Sequence, residues 1–491
     1  MTADIVFRNV RIIDGTGAPS VEGDVAVTGD RISAVGDAVE TGDDTFDIEG
    51  DGRCLSPGFV DVHTHDDGAL IRHPDMAFKV AQGCTSVVIG NCGFSAAPAE
   101  IGVREPSGLI GLRPTWTDLE GFAAAVTEAG PAVNAMALIG HNTIRYTVMG
   151  GHERRPPSDA ELAAMREQVA LAMAQGACGF STGLVYEPGR YSDTEEIVAL
   201  AAEAAEAGGI YASHIRNEGD RLLEAVDEAI DIGARAGCPV QISHHKAAGP
   251  RNWGKVADSL ARVDAANAAG ADVTLDAYPY TAGSGPMAQY FNLDRLDPEL
   301  AAVIRFASCP AFRRYEGRMA VDIAAEQGCE PVDVIREVLT APEGDRTLCI
   351  QFLMDEADIE TNYAHELMMV GSDGIVDLKG RPHPRLFGTF PRVLGHYVRN
   401  RGVLGLEEAV RRMTSLSCDR FGLADRGRIV EGAYADLVLF DANTVIDTAT
   451  YDDPQLEPEG IDAVFVNGAA AYADGSHTGR HSGRFLHYRR P

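Results

Sequence analysis

Lysine is scarce. Only four occur in 491 residues (Lys79, Lys246, Lys255 and Lys379), so arginine carries nearly all the positive charge. Basic residues are outnumbered as well, 42 against 73 acidic, which gives a formal charge of −31. A nucleic-acid backbone or an anionic membrane needs a basic face, so both are excluded as expected partners. Long apolar runs are missing. The longest, near 135–139 and 367–370, are strand-length, far short of the ~20 residues of a membrane span. Residues 1–10 lack the apolar core of a signal peptide. Nine cysteines, an odd number without regular spacing, argue against a disulfide framework and for free thiols in a reducing compartment. The expectation is a soluble, cytoplasmic, acidic protein.

At about 150 residues per domain, the length suits three domains or one large barrel plus a small module. A chain of this size can bury a core without covalent staples. Both ends are rich in short strand patterns. An alternating run over 4–13 stops at Asp14-Gly15-Thr16-Gly17, and Gly29-Asp30 separates two further runs as a hairpin turn. Strand-like runs recur at 436–440 and 463–466, so the two termini together predict one small, β-sandwich-like domain, residues 1–56 plus 420–491. The middle, 57–419, alternates strand and helix. Eight candidate strands fall at 58–62, 85–90, 134–140, 179–182, 210–213, 239–243, 272–277 and 367–372. Ser158-Asp-Ala-Glu161 and Ser192-Asp-Thr-Glu195 read as capping boxes opening helices, and a third helix carrying Leu222, Leu223, Val226 and Ile230 should end before Gly233. Eight such units predict an α/β fold, a (β/α)₈ TIM-type barrel, with a doubly wound sheet as competitor. The interval between strands 7 and 8 is too long for one helix and predicts an insertion at about 293–342. No internal repeat or low-complexity tract is present.

Residues able to bind a metal stand at the ends of these strands. His63-Thr64-His65 follows the first apolar run, and residues two apart on a strand point to one face. Cys92 follows the second strand, His214 the fifth, His244-His245 the sixth and Asp373 the eighth. Each position alone is weak. Together, at the barrel end where active sites sit, they predict a metal centre. Nitrogen and sulfur donors with a carboxylate favour zinc. Val240, Ile242 and His244 share a strand parity, so His244 should face the centre, while His245 points toward packing or solvent.

This pattern resembles the amidohydrolase superfamily, many members of which bridge two metals with a carboxylated lysine after strand 4. Here that strand end reads Gly179-Phe-Ser-Thr-Gly183, and the only lysine between His65 and His214 is Lys79, before strand 2. Cys92 is the replacement. Gly90-Asn-Cys-Gly-Phe-Ser95, Gly140-His-Asn-Thr-Ile-Arg145, Ser213-His-Ile-Arg-Asn-Glu218, Ser243-His-His-Lys246, Asp276-Ala-Tyr-Pro-Tyr-Thr-Ala282 and Arg381-Pro-His-Pro-Arg385 resemble the D-aminoacylase (N-acyl-D-amino-acid deacylase) family over nearly the whole chain. The resemblance implies that Cys92, His214 and His244 hold a tight zinc, with His63, His65 and Asp373 lining a second, weaker position. It implies a small-molecule N-acyl-D-amino acid as substrate.

The expected reaction is amide hydrolysis, with Asp373 as general base and then general acid. The substrate carries an α-carboxylate. The overall charge repels anions, but that field is screened beyond about 8 Å at physiological salt. A local Arg fork can dominate, and Arg385 is the candidate. Tyr278 and Ser284 are expected to add hydroxyl donors, and Lys246 and Tyr186 to contact substrate or tune the site. No further basic residue near these motifs awaits an acidic side chain, which favours neutral or hydrophobic ones. The competing readings are a hydantoinase-like or dipeptidase-like amidohydrolase and a non-catalytic barrel scaffold.

Overall fold

Eight short, wholly buried parallel strands are hydrogen-bonded in chain order: Phe59–Asp61, Cys84–Ile89, Asn134–Gly140, Gly179–Gly183, Ile210–His214, Val240–Ile242, Val273–Ala277 and Met368–Val370. These are the strands of a barrel in a computed structural model, which describes residues 3–489 apart from 37, 38, 40, 41, 43, 44, 104–110, 292 and 295. Strands covered by helices on one side and by the barrel interior on the other read as continuous apolar runs. The seam between the first and last strands is closed beyond their ends. Thr64–His65 pairs in parallel with Gly374–Ile375, and the Asp373 amide donates to the His63 carbonyl at 2.6 Å.

Helix boundaries follow local chemistry. Ser158 and Glu161 form a reciprocal box at the start of Asp159–Ala174. The next helix, Thr194–Glu206, is capped by Asp193, which accepts from the Glu196 amide, and not by Ser192. Ser192 instead donates to the Gly189 carbonyl. Helix Leu222–Ala236 runs past the expected stop to Gly237, which takes the left-handed conformation. Gly233 is there for packing: a Cβ on it would lie 2.1 Å from Val240 Cγ2.

Strands from both termini share one nine-stranded sheet. Cys54–Pro57 joins the halves. It pairs parallel to Ile5–Ile12 and antiparallel to Leu437–Phe440, then leads into the first barrel strand. Its inner face buries Phe7, Val25, Leu55, Leu437 and Phe465. The C-terminal segment returns to the barrel floor, where Leu486 donates to the Ala135 carbonyl and Phe485 packs edge-on against Phe122.

The insertion is wider than 293–342. It begins with strand Ala282–Pro286 and ends with Leu348–Phe352, which pair antiparallel, with Ile304–Ser308 on the far side of the latter. Helices Ala320–Gln327 and Pro331–Thr340 close its own apolar core. Ala-Gly-Ser-Gly-Pro has no β-branched residue, so the first of these strands gives no signal of its own. Its distant partner makes it a strand.

Candidate metal centre

The six predicted donors converge at the carboxyl end of the barrel, and none is more than 7% exposed. His63 Nε2, His65 Nε2, Cys92 Sγ and an Asp373 oxygen form one group, and Cys92, His214 and His244 another, with the donor atoms of each within 4.8 Å of one another. Cys92 belongs to both. Its sulfur lies 3.3 Å from His63 Nε2, 3.4 Å from His244 Nε2 and 3.7 Å from His214 Nδ1. Asp373 Oδ1 is 3.2 Å from His65 Nε2 and 3.6 Å from His63 Nε2. Burial alone would raise the Cys92 thiol, but His63 and His244 outweigh it and hold it well below its usual range. Burial would likewise raise Asp373, and Arg385, His65 and His244 overcome it. The result is a thiolate, a carboxylate and imidazoles facing one space. This donor set suits zinc better than an oxygen-seeking cation.

The backbone is bent to make this possible. Cys92, His244 and Asp373 have φ of 55°, 33° and 49°, a region that non-glycine residues seldom occupy. Strain of this kind gathers at sites that the surrounding structure over-determines. Gly90 and Gly93 flank Cys92 with φ of 76° and 78°. A Cβ on Gly90 would stand 2.1 Å from the Leu138 carbonyl oxygen, so the tight loop needs glycine there. Asp276 accepts from the His244 amide at 2.8 Å, and its Oδ1 is 3.2 Å from His63 Nδ1.

Arg385 is wholly buried and begins helix Arg385–Arg392. Its Nη1 is 2.9 Å from Asp373 Oδ2, its Nη2 donates to the Ser284 carbonyl at 3.1 Å, and its guanidinium lies 4.5 Å above the Tyr278 ring. Neither Nε nor Nη1 has an aligned hydrogen-bond acceptor. Ser284 thus meets Arg385 through its carbonyl. The Tyr186 ring is 4.7 Å from His214, and its hydroxyl is 3.3 Å from that of Tyr290, on the insertion. Lys246 takes a different place. Its Nζ donates to Glu218 at 2.5 Å and lies 2.8 Å from His244 Nδ1. His245 points away to Asn362 and Ser259.

Several site neighbours carry little sequence signal. Glu218 and Asp276 lie in quoted motifs, but nothing there ranks them. His383 accepts from the Arg385 amide and donates to the Ala282 carbonyl, fixing the start of helix Arg385–Arg392 to the insertion. Lys79 is buried beneath the centre, donating to Asp61, Thr64 and Ser372 at 2.5, 3.0 and 2.9 Å, so it pins the barrel seam.

Comparison with known proteins identifies the family. A model of the amidohydrolase family matches residues 48–313 and 261–472. The N-acyl-D-glutamate deacylase of Alcaligenes xylosoxydans xylosoxydans is 43% identical over 471 residues, 96% of this chain and 93% of the relative. The D-aminoacylase of the same organism is 42% identical over 486 residues, 98% and 97% of the two chains. The solved structure of N-acyl-D-glutamate deacylase from Bordetella bronchiseptica, complexed with zinc and a phosphonate mimic of the tetrahedral intermediate, superposes with a TM-score of 0.91 at 39% identity, covering 99% of this chain and 100% of that one. With a barrel of this order and a donor set built on Cys92, the chain belongs to the D-aminoacylase and N-acyl-D-amino-acid deacylase group of the amidohydrolase family.

Proposed function

We propose that the protein hydrolyses the amide bond of N-acyl-D-amino acids to a carboxylate and a free D-amino acid, with zinc as cofactor. Cys92, His214 and His244 would hold the metal tightly, and His63, His65 and Asp373 would line a second, weaker position. When bound, zinc supplies an activated water and a Lewis acid for the acyl carbonyl. Asp373 accepts the proton of the attacking water through the carboxylate that its cationic neighbours keep ionised. It then returns that proton to the departing nitrogen, which is otherwise a poor leaving group.

The observation that carries the substrate assignment is the 2.9 Å contact between Arg385 and Asp373. In an N-acyl amino acid the α-carboxylate is separated from the scissile nitrogen by one carbon. The group that binds the carboxylate must therefore stand beside the group that protonates the nitrogen. Arg385 does so, with Nε and Nη1 lacking aligned acceptors and Tyr278 beneath it. Tyr278, Ser284, Lys246 and Tyr186 complete the proposed substrate wall. Phe94, Val185, Tyr186, Tyr290 and Ile375 cluster around Cys92 and give it an apolar face. The preference for the D configuration rests on the relatives. All nine cysteines are free, which supports a reducing compartment such as the cytoplasm.

The test is metal-dependent turnover. Protein stripped by a chelator should not release amine from N-acetyl-D-methionine, and added zinc should restore release. Equal rates with and without metal would refute the proposal.

A further inference from the structure

One carboxylate stands within ion-pair distance of both histidines of the Cys92 group. His214 turns Nδ1 toward the Cys92 sulfur, and its other nitrogen, Nε2, is 3.6 Å from Glu218 Oε2. His244 does the reverse: Nε2 faces the sulfur, and Nδ1 is 2.9 Å from Glu218 Oε1. The two rings lie 4.3 Å apart at 84°, so one acceptor pair serves both only if the rings use opposite nitrogens. Glu218 is itself fixed. Its carbonyl accepts from the Ala248 amide at 2.7 Å, and the Asn217 side chain just before it accepts from the Gly219 and Arg221 amides, each at 3.0 Å. Arg216, two residues away, turns aside to Glu228. Lys246 supplies the balancing charge at 2.5 Å, and its ammonium also stands 2.8 Å from His244 Nδ1, so the outward nitrogen of His244 faces the Glu218–Lys246 pair.

We propose that Glu218 is the positioning residue of the metal centre, a single carboxylate that orients His214 and His244 by their outward nitrogens and so presents Nδ1 of one and Nε2 of the other to the metal. Carboxylates that hold the second nitrogen of a metal-binding histidine fix its tautomer and ring angle, and losing one costs about 10–100-fold in metal affinity. His63, His65 and Asp373 pair with one another, with Asp276 and with Arg385 rather than with Glu218, so their group keeps its geometry. The inference rests on the reading of these residues as a metal centre.

The test is zinc affinity, measured by competition with a chelator, in wild type, Glu218→Gln and Lys246→Met. A glutamine keeps the shape but offers an NH₂ where a ring N–H needs an acceptor. Glu218→Gln should lose affinity by about 10–100-fold. Lys246→Met removes the balancing charge and a 2.8 Å neighbour of His244 Nδ1, and should lose clearly less than Glu218→Gln, because the carboxylate remains. The cobalt-loaded variant should show an altered thiolate-to-metal absorption band, a signature that a merely structural contact would not move. Wild-type affinity in Glu218→Gln, or an equal loss in Lys246→Met, would overturn the proposal. If Glu218→Gln does not fold, Glu218→Asp takes its place: it should show weaker zinc binding and a shifted cobalt band, and wild-type values for both would overturn the proposal. Wild type that binds no zinc would refute the metal centre itself, a different failure.

Discussion

At the scale of single residues, charge placement decides more than charge total. The chain is strongly acidic, yet its two most telling cations, Arg385 and Lys246, are spent inside the site on Asp373 and Glu218. Replacing Asp373 with Asn removes the proton acceptor while leaving Cys92, His214 and His244 in place. Turnover should fall by about 10²–10⁴-fold with zinc still bound, read by steady-state kinetics beside metal analysis. Retained turnover would remove Asp373 from the chemistry. Arg385→Lys keeps the charge but loses the planar fork, and hydrogen bonds to charged groups contribute about 1.5–3 kcal/mol. kcat/KM should then drop roughly 10- to 150-fold, mainly through KM. A drop confined to kcat would contradict carboxylate binding. Some of this site is legible in the sequence. Parity along 240–244 separates His244 from His245, and the structure turns the two rings opposite ways. The approach of Glu218 to both histidines is not legible, because it depends on a loop after strand 5 meeting a loop after strand 6.

At the scale of elements, the site depends on turns more than on strands. The loop after the second strand reverses between Gly90 and Gly93, and Cys92 sits between them with positive φ. Gly90→Ala would put a methyl 2.1 Å from the Leu138 oxygen and force an unfavourable φ. The φ penalty alone is of order 1–3 kcal/mol. A lower melting temperature together with weaker zinc retention is expected, and an unchanged melt would show that the loop adapts. The eight barrel strands fall close to where their apolar runs place them, because a buried parallel strand writes its burial into every residue. The insertion boundary is hidden for the opposite reason. Ala282–Pro286 is a strand only because it pairs with Leu348–Phe352, more than sixty residues on. Helix ends shift by smaller amounts, by one residue at Asp193 and by one turn at Gly237, where a second residue of the same type of chemistry could have served.

At the scale of the whole molecule, the proposed metal centre lies on a seam. Its candidate donors come from the ends of the first, second, fifth, sixth and eighth strands, and the first and last strands are joined there by a two-residue ladder and a few flanking hydrogen bonds. Bound metal should therefore stabilise the barrel as a unit. At a metal concentration about 1,000 times the dissociation constant, the linkage contribution is about 4 kcal/mol. Removing zinc should lower the melting temperature of the whole chain reversibly, and an unchanged melt would contradict the seam. Among the described residues no helix is long and apolar enough to cross a membrane. The central claim is chemical, and the most direct measurement is amine release by zinc-loaded protein from paired N-acetyl-D- and N-acetyl-L-amino acids bearing Met, Leu, Phe, Glu and Asp side chains. Turnover of D substrates alone is predicted, and the best of the five names the side-chain pocket. Turnover of the L series, or of neither series with zinc verified as bound, would contradict the account.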